Sequence, residues 1–277
     1  MQFFNDDFAR KTMPADIPVF VNSCDSFSDC WPPFFTLLAK HWPGKPPRIY
    51  LTTEERDFSF PGLDITCLKV GKGRASRPLP WGECVIRALD KIEDDLFLYI
   101  HEDCFIDRPV RLDLIEEFAA LMRKDNIANI RLIEFDGSGP WQPTKYPLLW
   151  EVDRNSAYRM STQAGLWQRD RLRACIRRHE NPWQFEIWGS KRAQRMKDRI
   201  LCINRDLFGP AGDPVLSYDS ADAVLKGKWN LEVVERLFAR HEIYVDFAER
   251  GTCEDGVPRM PRAPFIQRLS ARVRSYF

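Results

Sequence analysis

The sequence predicts an α/β fold with a mostly parallel central sheet flanked by helices, and three observations predict it. Apolar runs of strand length recur at residues 17–22, 48–53, 64–70, 96–100 and 127–135. Between several of them lie segments whose apolar residues return at helical spacing. The run at 96–100, Leu-Phe-Leu-Tyr-Ile, shows no polar alternation, which suits a strand buried on both faces. Strands that alternate with helices favour parallel pairing through right-handed crossovers.

In chain order, the strand at 17–22 ends in Asn22, Ser23, Cys24 and Asp25. Small polar residues there can offer backbone N–H groups to a phosphate or cap a helix. Trp31, Phe34, Phe35, Leu38 and Trp42 then mark one helical face, stopped by Pro43-Gly44. After the strand at 64–70 comes a basic loop with Gly71, Lys72, Gly73, Arg74 and Arg77. A helix with Cys84, Val85, Ala88 and Leu89 on one face follows, and a loop of this kind before a helix suits a diphosphate. The next helix opens near Asp107 and Pro109 and carries Leu112, Ile115, Phe118 and Met122.

The second half is less periodic. Residues 136–160 are rich in proline and aromatics and predict an irregular excursion. A helix is expected over 166–179. Another starts at Asn181-Pro182-Trp183-Gln184, where Asn181 and Gln184 can form a capping box. A late strand is expected at 200–204, a loop around a short helix at 217–230, and a helix at 233–240.

The composition narrows the function. Lysine and arginine total 41 against 40 acids, so nothing points to nucleic acid as a partner. Nine tryptophans and nineteen phenylalanines serve core packing or a sugar or nucleoside platform. The eight cysteines contain no C-x-x-C pair, a pattern that is neither a zinc site nor a disulfide framework and suits a reducing compartment. No signal-peptide pattern and no apolar run of membrane-spanning length is present, so a cytoplasmic protein is expected. From Gly256 onward there are five arginines and no acid, with Ile266, Leu269, Val273 and Phe277 on one helical face. That tail predicts either peripheral membrane contact or a helix docked on the body. One domain is expected over 1–277, with a nucleotide half at about 17–135, an acceptor half at 136–240 and the basic tail at 256–277.

The chemistry concentrates where the run at 96–100 ends in His101, Glu102 and Asp103. Ligands of open α/β sheets sit at the carboxyl ends of the strands. A carboxylate pair there fits a divalent cation or a sugar hydroxyl; capping of the helix near Asp107 is the alternative.

The segments PVFVNSCDSF, GKGRASRPLPWGECVIRAL and LYIHEDCFI, with STQAGLWQRDRL and NPWQFEIWGSKRA, resemble the GT-A family of nucleotide-sugar-dependent glycosyltransferases, particularly bacterial enzymes of cell-surface polysaccharide assembly. The resemblance covers roughly residues 17–230. It implies a GT-A-like sheet with a Rossmann-like nucleotide half and an acceptor-side half. It implies a nucleotide-sugar donor, a glycan or glycolipid acceptor, and Mn²⁺ or Mg²⁺ held by Asp103 with Glu102 beside the metal or ribose. His101 stands where the family has its first acid. Asn22, Ser23, Asp25 and Thr53 fall where the family binds base and ribose, and Arg74 and Arg77 where it holds the diphosphate. An inverting enzyme needs a carboxylate base; Glu186 fits that place, with Asp170 second, and Trp183 and Trp188 would contact the acceptor. A catalytically inactive nucleotide- or carbohydrate-binding domain of the same fold is the alternative. A nucleotidyltransferase would carry a glycine-rich loop near the start, and residues 20–30 contain no glycine.

Overall fold

The apolar runs assemble into one nine-stranded sheet. The computed structural model describes residues 17–135, 137–209, 212–218, 222–255 and 273–275. The strands are β1 (Val19–Asn22), β2 (Ile49–Leu51), β3 (Ile65–Cys67), β4 (Leu96–His101), β5 (Ile127–Arg131), β6 (Trp141–Pro143), β7 (Leu149–Val152), β8 (Gly165–Gln168) and β9 (Arg199–Ile203), in the order β3-β2-β1-β4-β8-β5-β9-β7-β6. β3, β2, β1 and β4 are parallel neighbours, as are β5 and β9. β8 is antiparallel to β4 and β5, and β7 to β9 and β6, so these two strands run against the rest. This is the mostly parallel α/β sheet that the sequence predicts, and it is continuous from β3 to β6.

Period-two alternation divides two cores across the sheet. Val19, Val21, Leu96, Leu98 and Ile100 pack with α1 (Trp31–His41) and α3 (Leu112–Asp125). Phe20, Phe97 and Tyr99 pack on the other face with α2 (Trp81–Leu89) and α4 (Arg169–Cys175). Phe20 meets Phe97 and Tyr99 edge-on, at 5.3 and 5.6 Å between ring centres.

The second half departs from expectation in four places. Residues 166–168, expected to open a helix, lie in β8, which slots between β4 and β5. Gly165 allows this approach, since a Cβ there would stand 2.9 Å from the Ile130 carbonyl oxygen. Asn129 Nδ2 also donates to the Leu166 carbonyl at 2.8 Å. The stretch 136–160 is not wholly irregular, because its tryptophan-bearing parts form β6 and β7 and extend the sheet. The strand expected to run to 135 ends at Arg131. Where a short helix was expected near 217–230, the described residues form a hairpin, β10 (Val224–Leu225) and β11 (Lys228–Trp229). Lys226 and Gly227 turn it with φ of 49° and 82°.

The Asn181 capping box forms, with Gln184 N–H donating to Asn181 Oδ1 at 2.8 Å and Asn181 N–H to Gln184 Oε1 at 3.0 Å. It opens a continuous helical segment of α5 (Pro182–Gln184), a π turn (Phe185–Gly189) and α6 (Ser190–Ala193). Further on come α7 (Arg205–Phe208), α8 (Leu231–Arg240) and α9 (Phe247–Arg250). The expected N-terminal pattern and most of the basic tail lie outside the described residues. Among the described residues no helix is long and apolar enough to cross a membrane. All eight cysteines are free.

Candidate active site

β4 ends between β1 and β8 and delivers His101, Glu102 and Asp103 to the carboxyl edge of the sheet. One ligand atom from each of the three lies within 4.8 Å of the other two. Glu102 is buried and Asp103 half-buried, so Asp103 is the more open of the pair. Burial pushes the Glu102 carboxyl well above the usual carboxylate range, and the adjacent Asp103 charge adds to the rise. Burial also raises Asp103, against the pull of His101. Among the described residues neither carboxylate forms an ion pair within 4 Å; the Arg250 charge acts on both from nearby. A buried and a half-buried acid side by side, with no ion-pair partner within 4 Å among the described residues, fit a hard divalent cation better than they fit an empty core.

His101 is a poorer ligand than its position suggests. Its Nδ1 sits 3.5 Å from Asn22 Nδ2, and its Nε2 sits 3.1 Å from the Tyr99 hydroxyl. Burial lowers its pKa, while the Asp103 and Glu186 charges and the Thr162 carbonyl raise it. With both ring nitrogens engaged, the donor set that fits a cation is the two carboxylates. Mn²⁺ or Mg²⁺ suits such oxygen ligands.

Around this corner the strand ends bring several expected residues together. Ser23 Oγ accepts from the Trp31 indole at 2.7 Å and bonds in turn to Glu102. Asn22 pairs with His101 in β-sheet register and through its side chain. Thr53 is fully buried past the end of β2, its hydroxyl unpartnered among the described residues.

Asp25 is placed differently from the expectation. Its carboxylate accepts the backbone N–H groups of Glu54, Glu55 and Arg56 at 2.9, 3.0 and 3.3 Å, and Glu54 answers the Asp25 N–H. Both Asp25 oxygens tie the loop after β1 to the loop after β2. Arg74 and Arg77 are exposed on the loop before α2 and make no ion pair among the described residues. Ala75 and Ser76 between them adopt left-handed φ of 54° and 55°.

Glu186 sits in the π turn, a helical irregularity frequent at functional sites. Ser190 fixes the turn: its hydroxyl donates to the Glu186 carbonyl at 2.5 Å and accepts from Met160 N–H at 2.8 Å. Glu186 Oε1 accepts both the N–H and the hydroxyl of Thr162 at 2.9 Å. Glu186 also lies close enough to His101 for its charge to raise the pKa of that ring, which sets it near the acid pair.

Asp170 lies away from this corner. Gln168 pairs with Leu96, and Arg169 N–H donates to the Asp95 carbonyl, so the start of α4 lies at the amino end of β4. The Asp170 side chain is 82% exposed and bonded to Arg169. It lies at the edge of the sheet opposite the acid pair. Trp183 points outward, while Trp188 is half-buried under Lys191 Nζ at 4.5 Å from its ring centre.

Tyr99, Thr162, Glu54 and Arg250 were not anticipated. Tyr99 had a signal, since it lies two residues before His101 and so shares its face of the strand. The others had none, because their partners are distant in sequence.

No protein-family model and no curated protein matches the sequence. Among solved structures, the chain is similar to TarS 1–349 of S. aureus, with a TM-score of 0.48 and 12% identity, covering 85% of this chain and 68% of that one. The same TarS segment in complex with UDP gives a TM-score of 0.47 and 15% identity, with the same coverage. An apo UDP-glucose pyrophosphorylase gives 0.38 and 10%, covering 69% of this chain and 90% of that one. The chain spans 41% of the longer TarS structure. At these identities the likeness is one of fold.

Proposed function

We propose that the protein is a nucleotide-sugar-dependent glycosyltransferase that moves a sugar to a hydroxyl of a glycan or glycolipid acceptor with inversion. The observation that carries this reading is the Glu102–Asp103 pair at the carboxyl end of β4, within 4.8 Å of a His101 ring nitrogen that also feels the Glu186 charge. Asp103 and Glu102 would hold Mn²⁺ or Mg²⁺, which when bound supplies positive charge to the diphosphate of the donor.

The chain's own residues supply the rest. Ser23 and Asn22 line the donor side of the acid pair. Thr162 fixes Glu186 through Oε1, and among the described residues Oε2 has no such partner. Oε2 is therefore the oxygen that takes the proton of the attacking hydroxyl as its bond to the anomeric carbon forms and the diphosphate leaves. Arg74 and Arg77 stand on a loop able to reach that diphosphate.

The test is a thermal-shift panel of nucleoside diphosphates with and without Mn²⁺, followed by hydrolysis of the matching nucleotide sugar. Metal-dependent stabilisation together with turnover supports the enzyme. Stabilisation without turnover favours the binding-domain reading, and neither effect overturns both.

A further inference from the structure

The helical segment that turns Glu186 inward also has an outer face. Trp183 is 66% exposed and Ile187 44% exposed, one turn apart on that segment. Two large apolar side chains exposed one turn apart give this face an apolar centre.

The exposed charged residues between 177 and 197 are all basic. Between residues 177 and 197 the acids are Glu180 and Glu186. Neither faces outward: Glu180 is fully buried and gripped by Arg192 at 2.7 Å, and Glu186 is bound to Thr162. Lys191, Arg195 and Lys197 are exposed on the same stretch. The end of the chain adds to this. The Ser275 carbonyl accepts from Arg192 Nη1 at 2.6 Å and its hydroxyl bonds His179 Nε2 at 2.9 Å, which pins exposed Val273 and Arg274 to this element.

A sugar-binding platform needs hydrogen-bonding groups, carboxylates above all, around its aromatic ring. Here the carboxylates are turned away, and Ile187 has nothing to offer a hydroxyl. Indole, aliphatic side chain and basic rim together match the headgroup region of a bilayer that carries negative charge. We propose that this outer face docks on an anionic phospholipid surface. Combined with the function proposed above, on which this last step rests, Glu186 on the inner side would then meet a lipid-anchored acceptor at the membrane.

The experiment is vesicle flotation of the full chain, without donor or acceptor, on phosphatidylcholine alone and with about one quarter phosphatidylglycerol. Binding is expected to the mixed vesicles and to weaken with salt. Trp183→Ser with Ile187→Ser should lower partitioning about tenfold, and brominated lipid should quench less tryptophan emission in that variant. Lys191→Gln with Lys197→Gln should weaken binding to the anionic vesicles alone. An unchanged melting temperature shows that these exposed substitutions leave the fold intact. Absence of binding by the wild type, or equal binding by the double serine variant, overturns the proposal. So does emission that responds to a soluble oligosaccharide but not to vesicles, which would make Trp183 a glycan platform. Because flotation needs no catalysis, its failure leaves the transferase reading standing, and loss of the transferase reading leaves flotation unaffected.

Discussion

Glu102 and Asp103 are neighbours in sequence with different surroundings, and substitution should separate them. Glu102 is buried against Ser23, and its charge is opposed first by desolvation. Glu102→Gln keeps a hydrogen-bonding group and removes that cost, so the melting temperature without metal should hold or rise while the Mn²⁺-dependent shift falls. Asp103→Asn should abolish the Mn²⁺-dependent shift with little change in the metal-free melting temperature. A drop in metal-free stability for both variants, with the Mn²⁺ shift retained, would sink the ligand assignment. Glu186→Gln should reduce turnover by about 10²–10⁴-fold with donor binding unchanged. Asp170→Asn, at the far end of β4, should leave steady-state rates where they were.

At the scale of elements, close backbone approaches decide which pieces meet. A Cβ on Gly82 would stand 2.1 Å from the Arg177 carbonyl oxygen, and Gly82 N–H donates to the Glu180 carbonyl at 2.9 Å. Gly82→Ala should therefore push α2 off the 177–180 turn and cost about 2 kcal/mol or more in urea denaturation; an unchanged midpoint would refute the contact. A second element joint is sensitive to pH. His41 at the end of α1 and His241 after α8 meet edge-on at 5.4 Å. Desolvation first, then His241 and Lys40, lower the pKa of His41; desolvation, Lys40 and Arg240 lower that of His241, with Asp107 opposing both. The fold thus holds both rings neutral where the unfolded chain protonates them. Stability is present above the ordinary histidine value and is lost as pH falls through it toward the lowered folded values. Denaturation midpoints at about pH 7.5 and about pH 5.5 should differ, and His241→Gln should narrow the gap.

These joints also show what the sequence could and could not disclose. β1 and β4 were legible as unbroken apolar runs, and α1 and α2 because each repeats the helical period over several residues. β8 was not: four residues, Gly-Leu-Trp-Gln, fit strand or helix equally, and only the gap between β4 and β5 decides. The acid pair was visible because it is contiguous, whereas Thr162 reaches Glu186 across 24 positions and leaves no local mark.

Over the whole molecule, segments far apart in sequence are closed on each other by charge. Arg250 in α9 forms a buried ion pair with Asp29, 221 positions away, and donates to the Ser26 carbonyl at 2.8 Å. The Trp229 indole donates to the same Asp29 carboxylate at 3.1 Å, and the Arg250 guanidinium lies 4.2 Å from the Phe27 ring centre. This contact fastens the β10–β11 hairpin and α9 beside the loop that leaves β1, next to the acid pair. Removing one partner leaves the other charge buried without a counter-ion, so Arg250→Met should cost about 3–5 kcal/mol. Asp29→Asn should cost a similar amount, and the double variant should be less damaged than the two single losses combined, since neither charge is then stranded. If Arg250 also steadies the acid pair electrostatically, as its position implies, Arg250→Met should strengthen Mn²⁺ binding, because the cation then meets two carboxylates with no competing positive charge. Denaturation and metal titration of the four proteins measure both effects together. Additive stability losses would reduce the ion pair to ordinary packing, and Mn²⁺ affinity unmoved by Arg250→Met would confine the arginine to holding α9 against the loop after β1.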